Sequence, residues 1–401
     1  MNIVMVCESA TVSGGAEKVA IQEAVELRRR GHRVGYIAAN DQPAQELIQA
    51  QVETLLLDTK SFFEETRRRE KLQKMFGNQE ISDRIRQFLS GFPKEETVVH
   101  LHTFRLKLSG IVPHIAQEMG FATVVHGHDY SPVCPTSLLY DHRAQANCER
   151  KPMSLSCIAC ECQNQPWRYK LPKLTSFYMN QSVWRINRRS NGILHISDLE
   201  RSTMESKMPG KVKALRVTPI SDSMPTQRVP AETNQNYLFI GRVTAEKGVR
   251  QFLESATRAG VSAVVVGDGP LASELKAKFP NARFTGWIDK DQITQELVQA
   301  RAVVVPSVWR ETLCLSVIDA MQVGVPCIVS PTVGAKEYIV NGENGLVSDN
   351  LGEAFDQMKS DVFVQKLSES AFAKFQANPL SIERHVDGLL EIYAACLKEG
   401  R

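Results

Sequence analysis

No stretch of this 401-residue chain holds the roughly 18–20 consecutive apolar residues that a membrane-spanning helix needs. It has no internal repeat and no low-complexity tract, so neither a repeat array nor a compositionally biased tail is expected. No basic run is interleaved with aromatics, which argues against a nucleic-acid partner. The Gly-x-Gly-x-x-Gly fingerprint of dinucleotide folds is missing. The first seven residues have no basic region and no small-residue cleavage site, and they read as a strand rather than a secretion signal. The expectation is a cytoplasmic protein with mostly reduced cysteines.

The composition is that of an ordinary globular protein, 43% hydrophobic and 23% charged, and the length suits two domains. The net charge of +3 is unevenly spread. Residues 1–228 hold 31 Lys and Arg against 24 Asp and Glu, whereas residues 229–401 hold 17 against 21. The basic clusters Arg28-Arg29-Arg30, Arg67-Arg68-Arg69 and Arg188-Arg189 read either as solvated helix faces or as attraction to an anionic membrane surface or acceptor.

Apolar runs alternate with helical patterns in both halves, which predicts an α/β protein with doubly wound sheets. In the first half, strands are expected at 3–6, 34–38, 52–57, 98–102 and 122–126, with a helix over 18–30 ended by Gly31. The polar stretch 225–236 reads as a linker. The pattern then restarts with strands at 237–240, 263–266, 283–286, 302–305 and 327–330. An amphipathic helix from 381 to 397 closes the chain. The expected division is a domain over 1–228 with a Cys-rich insert at about 130–168, a second domain over 229–380, and a terminal segment 381–401 packing back across them.

The most informative segment runs from Pro306 to Asp319. A buried strand leads into a loop carrying Glu311 and then into a helix. The N–H groups of Leu313, Cys314 and Leu315 fall where a helix start offers unpaired donors, and Asp319 lies eight residues beyond Glu311. That layout suits a phosphorylated, hydroxyl-rich ligand. Gly241-Arg242 and Lys247-Gly248 lie on a strand-to-helix loop, where two cations can neutralise a diphosphate. Gly14-Gly15 opens the first helix and lets backbone approach a ligand, or serves only as a tight turn. His126-Gly127-His128-Asp129 ends a strand and places a histidine toward a cleft. His100 and His102 share one face of the preceding strand. Cys157 and Cys160 form a Cys-x-x-Cys pair that Cys134 and Cys148 could complete into a structural zinc site. Reduced thiols and a redox role stand beside that reading. Asp289 and Asp291 resemble a metal motif but read as helix capping.

In order, Ser13-Gly14-Gly15-Ala16-Glu17, His128-Asp129, Gly241-Arg242 with Glu246-Lys247-Gly248, Gly267-Asp268-Gly269-Pro270, Glu311 with Asp319, and Asn341-Gly342-Glu343-Asn344-Gly345 resemble a retaining family-four glycosyltransferase of the GT-B fold. His-Asp followed by Cys134-Pro135 and the later Cys-x-x-Cys resembles a bacterial subset making surface polysaccharides and lipopolysaccharide. The resemblance implies two facing Rossmann-like domains, each with a parallel sheet, and an interdomain cleft. It implies transfer of a hexose-type sugar from a nucleotide-diphosphate sugar to a glycan, lipid-linked saccharide or lipopolysaccharide-type acceptor, with retention of configuration and no catalytic metal. Glu311 would hold the donor sugar, Asp319 the ribose, Arg242 and Lys247 the diphosphate, and Gly14 and Gly15 the phosphate from across the cleft. Gly267 and Trp287 would flank the nucleotide, and His128 would sit by the transferring sugar. The N–H groups of Leu313, Cys314 and Leu315 would face donor oxygens. An anionic or lipid-linked acceptor and peripheral association with the inner leaflet would fit the basic first half. A degenerate nucleotide-sugar-binding assembly partner is the alternative. Two positions depart from the family pattern: Asp319 replaces a glutamate, and Cys314 replaces a glycine.

Overall fold

The computed structural model describes residues 1–39, 42–60, 64, 78–208, 212–220 and 227–399. Arg67-Arg68-Arg69 and part of the expected linker lie outside the described residues. Fifteen strands are described: β1 (Asn2–Val6), β2 (Arg33–Ala38), β3 (Glu53–Leu56), β4 (Thr97–Leu101), β5 (Ala122–His126), β6 (Tyr140–Asp141), β7 (Ala146–Asn147), β8 (Gly192–His195), β9 (Ala214–Arg216), β10 (Asn236–Ile240), β11 (Ser262–Val266), β12 (Arg283–Gly286), β13 (Ala300–Val305), β14 (Cys327–Val329) and β15 (Gly345–Val347).

They form two large sheets and one two-stranded ribbon. The first sheet runs β3-β2-β1-β4-β5-β8-β9, the second β12-β11-β10-β13-β14-β15, and every neighbouring pair within them is parallel. Both orders step outward from their first strand, reverse, and step outward again, as in doubly wound nucleotide-binding folds. The strands are near-continuous apolar runs because both faces are covered by helices. Side chains alternate across the sheet: Ile3 and Met5 enter one core and Val4 and Val6 the other. In the second sheet Val303 and Val305 enter one core and Ala302 and Val304 the other.

In such sheets ligands gather outside the carboxyl ends of the strands, at the point where strand order reverses. That point lies between β1 and β4 in the first sheet and between β10 and β13 in the second. The loops after β10 and β13 carry Lys247 and Glu311, so strand order alone brings these distant residues together.

The helix Ile382–Glu399 returns to the first sheet. Val386, Leu389, Tyr393 and Cys396, spaced three and four apart, enter the core that holds Ile3, Ala20 and Leu27. No described helix is long and apolar enough to cross a membrane.

Candidate functional site

The loop after β13 is tied down residue by residue. Glu311 N–H donates to Thr332 O at 2.9 Å, Gly334 N–H donates to Glu311 O at 2.9 Å, and Ala335 N–H donates to Leu313 O at 2.8 Å. The loop after β10 comes in beneath it. Gly248, at φ +71, lies so near that an added Cβ would stand 2.0 Å from the Pro306 carbonyl oxygen. Only glycine permits that approach, and it delivers Lys247 onto Glu311. Lys247 Nζ is hydrogen-bonded to Glu311 Oε1, and Ser307 Oγ donates to Oε2 at 2.7 Å. The Lys247 ammonium also lies 5.5 Å from the centre of the Trp309 ring.

The pair is buried, with Glu311 only 6% exposed. Burial alone would push the Glu311 carboxyl up, but the Lys247 ammonium and the hydrogen bonds override it and hold it below its usual range. Burial alone would lower Lys247, and the Glu311 charge raises it instead. The resting site is an ion pair.

Next in the chain is the start of the helix Leu315–Gln322. Cys314 caps it at φ 84, the left-handed region that favours glycine, which gives a backbone reason for the family's glycine at this position. Burial first, and then the Glu311 charge, push the Cys314 thiol up to about 12, so it stays protonated. Asp319 lies in the second turn of that helix.

Thr312 joins the two halves. Its Oγ1 donates to His128 O at 3.2 Å, and its carbonyl accepts from Ser197 Oγ at 2.5 Å. A Cβ built on Gly15 would stand 3.8 Å from Leu315 Cδ1, so the glycine loop of the first domain faces the helix start of the second. The structure therefore brings Gly14, Gly15, His128, Lys247, Glu311, Leu313, Cys314 and Leu315 to one region, with exposed Arg242 at the start of the Lys247 loop.

Two further expected residues lie on neighbouring loops. Trp287 is 81% exposed, on the rim beyond β12. Gly267, at φ +130, is required by the backbone itself, since an added Cβ would lie 2.1 Å from the Gly241 carbonyl oxygen. Asp289 caps the helix Lys290–Val298 in a reciprocal pair with Gln292, as the capping reading expects. In the Arg28-Arg29-Arg30 cluster, exposed Arg29 and half-buried Arg30 both pair with Glu26, Arg30 also with Asp387, and Arg28 bonds Ala50 O and His32 O.

A cavity of about 280 Å³ opens in the first domain beside His102 and Asp129. Glu8, Glu17, Arg105 and Trp184 also line it. Arg105 donates to Ser131 O at 2.9 Å and Cys134 O at 3.2 Å, leaving its Nε without a partner.

Behind the cavity lies a buried network in which sequence reasoning singled out His100, His102 and His128 but missed Glu23, His385 and Tyr393. Glu23, on the buried face of the helix Gly15–Arg29, accepts from His385 Nε2 at 2.8 Å. Its other oxygen lies 3.2 Å from His100 Nδ1 and 3.3 Å from His102 Nε2. His102 Nδ1 meets His128 Nε2 at 2.8 Å, and Tyr393 OH meets His100 Nδ1 at 2.6 Å. The available signal was a glutamate in line with Ala20, Ala24 and Leu27 on an apolar helix face.

Burial holds His100 down at about 4 and keeps His126 and His128 well below the usual histidine range. Burial would raise Glu23, but the neighbouring His102 and His100 keep it well below the usual carboxylate range. The depressed histidines are neutral in the fold, and the unfolded chain takes up their protons first as pH falls. Their stabilisation is complete above about pH 6.5 and is lost as pH falls toward 4; Glu23 adds to the loss only below about 4.5. His100 alone is expected to cost about 2 kcal/mol at pH 5. Thermal melts from pH 7.5 to 5 at fixed ionic strength check this, and a flat profile would contradict it.

The description "Glycosyl transferases group 1" matches residues 234–360, the segment carrying Lys247 and Glu311. A GDP-mannose-dependent alpha-mannosyltransferase of Corynebacterium glutamicum is 34% identical over 111 residues, 28% of this chain and 27% of that protein. The UDP-Gal:alpha-D-GlcNAc-diphosphoundecaprenol alpha-1,3-galactosyltransferase of Escherichia coli is 25% identical over 176 residues, 39% of this chain and 44% of that protein. The chain thus spans less than half the length of these two curated relatives. The structure of Anabaena HepE in complex with UDP superposes with a TM-score of 0.68 over 98% of this chain and all of that one, at 14% identity. Over its whole length the chain has the two-sheet GT-B fold of that structure, and its residues 234–360 are similar in sequence to the group 1 glycosyl transferases.

Proposed function

We propose that this protein transfers a hexose-type sugar from a nucleotide-diphosphate sugar to a glycan, lipid-linked saccharide or lipopolysaccharide-type acceptor, with retention of anomeric configuration and without a catalytic metal. The observation that carries the reading is the buried Lys247–Glu311 pair at the strand-order reversal of the second sheet, facing the Gly14-Gly15 loop. The ammonium has three donors, and Glu311 uses one of them. The others serve the diphosphate together with Arg242, and this charge matters most as the leaving group departs. Glu311, anionic and oriented by Ser307, holds donor hydroxyls, while Asp319 serves the ribose. Gly14 and Gly15 approach the phosphates, and the N–H groups of Leu313, Cys314 and Leu315 face donor oxygens. Gly267 and Trp287 border the nucleotide.

In this reading residues 1–228 form the acceptor side, residues 229–380 the donor side, and residues 381–401 a terminal clasp. The cavity beside His102 and Asp129 takes the acceptor, and its mixture of carboxylates and Arg105 suits a hydroxyl-rich saccharide. The E. coli relative's named acceptor is a diphosphoundecaprenol-linked sugar, which supports a lipid-linked acceptor and work at the cytoplasmic face of a membrane. Arg29 stays largely exposed beside Glu26, and the basic first half supports peripheral approach to the inner leaflet together with the lipid-linked acceptor. The cysteines of the insert support a structural zinc.

A melting-temperature screen over nucleoside diphosphates and nucleotide sugars tests the donor side. A ligand at 100 times its Kd is expected to add about 2.7 kcal/mol. No shift with any nucleotide would overturn the donor reading. A shift without transfer to any saccharide acceptor would leave a nucleotide-sugar-binding assembly partner.

A further inference from the structure

The insert between β5 and the helix Lys170–Tyr178 has little regular structure to hold it. Its ribbon, β6 with β7, pairs over only two registers, Tyr140 with Asn147 and Asp141 with Ala146. Ser137, Leu139, Gln145 and Met153 all adopt positive φ. Such a segment needs an added constraint to stay in one conformation.

Five thiols surround one small void in this insert. Cys134, Cys148, Cys157, Cys160 and Cys162 line it with Tyr140, Arg150 and Lys170, and its free interior is about 10 Å³, the room of a single water or ion. None of the five is bridged. Two cations stand beside them. Arg150 Nη1 lies 3.8 Å from Cys148 Sγ, and Lys170, 1% exposed, donates to the carbonyl of Cys160 at 2.7 Å and also to that of Cys157.

The five are not equivalent. Cys160 Sγ donates to Asp141 Oδ2 at 3.5 Å, on the side of the ribbon where Asp141 also receives Arg150. Cys134 and Cys162 are both buried and share Thr136 Oγ1, at 3.4 and 4.0 Å. Among the described residues, only Glu23, His100, His102 and His126 place metal-ligand atoms within 4.8 Å of one another. No three of the sulfurs therefore lie mutually within 4.8 Å, whereas Zn–S bonds of about 2.3 Å imply a tetrahedral edge of about 3.8 Å, so the cluster must contract on binding.

The same ribbon reaches the second domain. Asn147 Nδ2 donates to Val308 O at 3.0 Å, and Arg310 N–H donates back to Asn147 Oδ1 at 2.9 Å. Glu149 pairs with Arg310 and, at 3.3 Å, with Lys207. Cys148 lies between these two residues.

We propose that Cys134, Cys148, Cys157 and Cys162 hold one zinc-class ion, with Cys160 outside the ligand set, and that the ion fixes the ribbon whose Asn147 and Glu149 clasp the loop leading to Glu311. The ion is structural, tetrahedral and closed, with no open position for chemistry. It revises the sequence expectation at one position, Cys162 in place of Cys160, because Asp141 already engages Cys160. Its consequence is long-range: metal binding in the first domain sets the order of a loop in the second. The ligand assignment does not depend on the glycosyltransfer reading, and neither do the measurements that test it.

Elemental analysis of the purified full chain is expected to find about one zinc per chain, retained in Cys160→Ser and reduced to below about a fifth in Cys148→Ser and Cys162→Ser. If those variants fail to fold, cobalt titration of the metal-free wild type replaces them, and a thiolate-to-cobalt absorption band is expected. Zinc absent from the wild type and no thiolate band would overturn the site. So would loss of zinc in Cys160→Ser with retention in Cys162→Ser, or loss only when His102 and His126 are replaced. Hydrogen exchange followed by mass spectrometry reads the second half. Chelation is expected to speed exchange in the peptide containing Arg310, as Asn147→Ala would. Unchanged exchange after metal removal would overturn the clasp.

Discussion

Glu311→Gln is expected to lower glycosyl transfer by about two orders of magnitude or more while leaving the shape of the loop intact. The substitution keeps the volume and the acceptor for Ser307 Oγ, but it removes the negative charge beside Lys247. If the charge acts on the transferring sugar, turnover falls while nucleotide affinity holds or rises, since Lys247 is released to the diphosphate. Steady-state kinetics with calorimetric nucleotide binding separates the two. Turnover equal to wild type in a folded protein would remove Glu311 from the reaction.

Lys247→Ala is expected to act on stability as well as binding. It strips the counter-ion from a carboxylate that is 6% exposed. Removing one partner of a buried pair costs about 3–5 kcal/mol, because the remaining charge keeps its desolvation penalty without compensation. The denaturant midpoint of the second domain should drop accordingly. In the double variant with Glu311→Gln most of that loss should return, since no charge is left stranded, whereas diphosphate affinity should stay low. A double variant as unstable as Lys247→Ala would place the cost elsewhere, in the packing of the Lys247 stem against Trp309.

What could be read from the sequence was what local periodicity and short spacings encode. The buried strand before Pro306, the loop carrying Glu311 and the helix after it follow from an apolar run, a break and a 3.6-residue pattern. The Lys247 loop was legible for the same reason. The meeting of Lys247 with Glu311 was legible only through the resemblance, since it follows from strand order, which no local pattern states. Glu23 was overlooked because a glutamate inside an apolar stripe looks like an ordinary exposed helix position until His100, His102 and His385 arrive from two other segments. The Asn147 clasp had no signature at all, being two hydrogen bonds across about 160 residues. That Gly267 makes room for the Gly241 backbone was likewise not legible, because it depends on two loops meeting.

The return of the helix Ile382–Glu399 to the first sheet means that the chain passes between the two domains twice, once between Val217 and Val229 and again between Leu380 and Val386. A single tether would let one domain swivel and twist against the other. Two tethers behave as a pair of door hinges: the domains can swing about the line joining them, while rotation out of that plane is resisted. Any relative displacement of the two domains must therefore satisfy both connections at once, which favours keeping the Gly15 loop in register against Leu315.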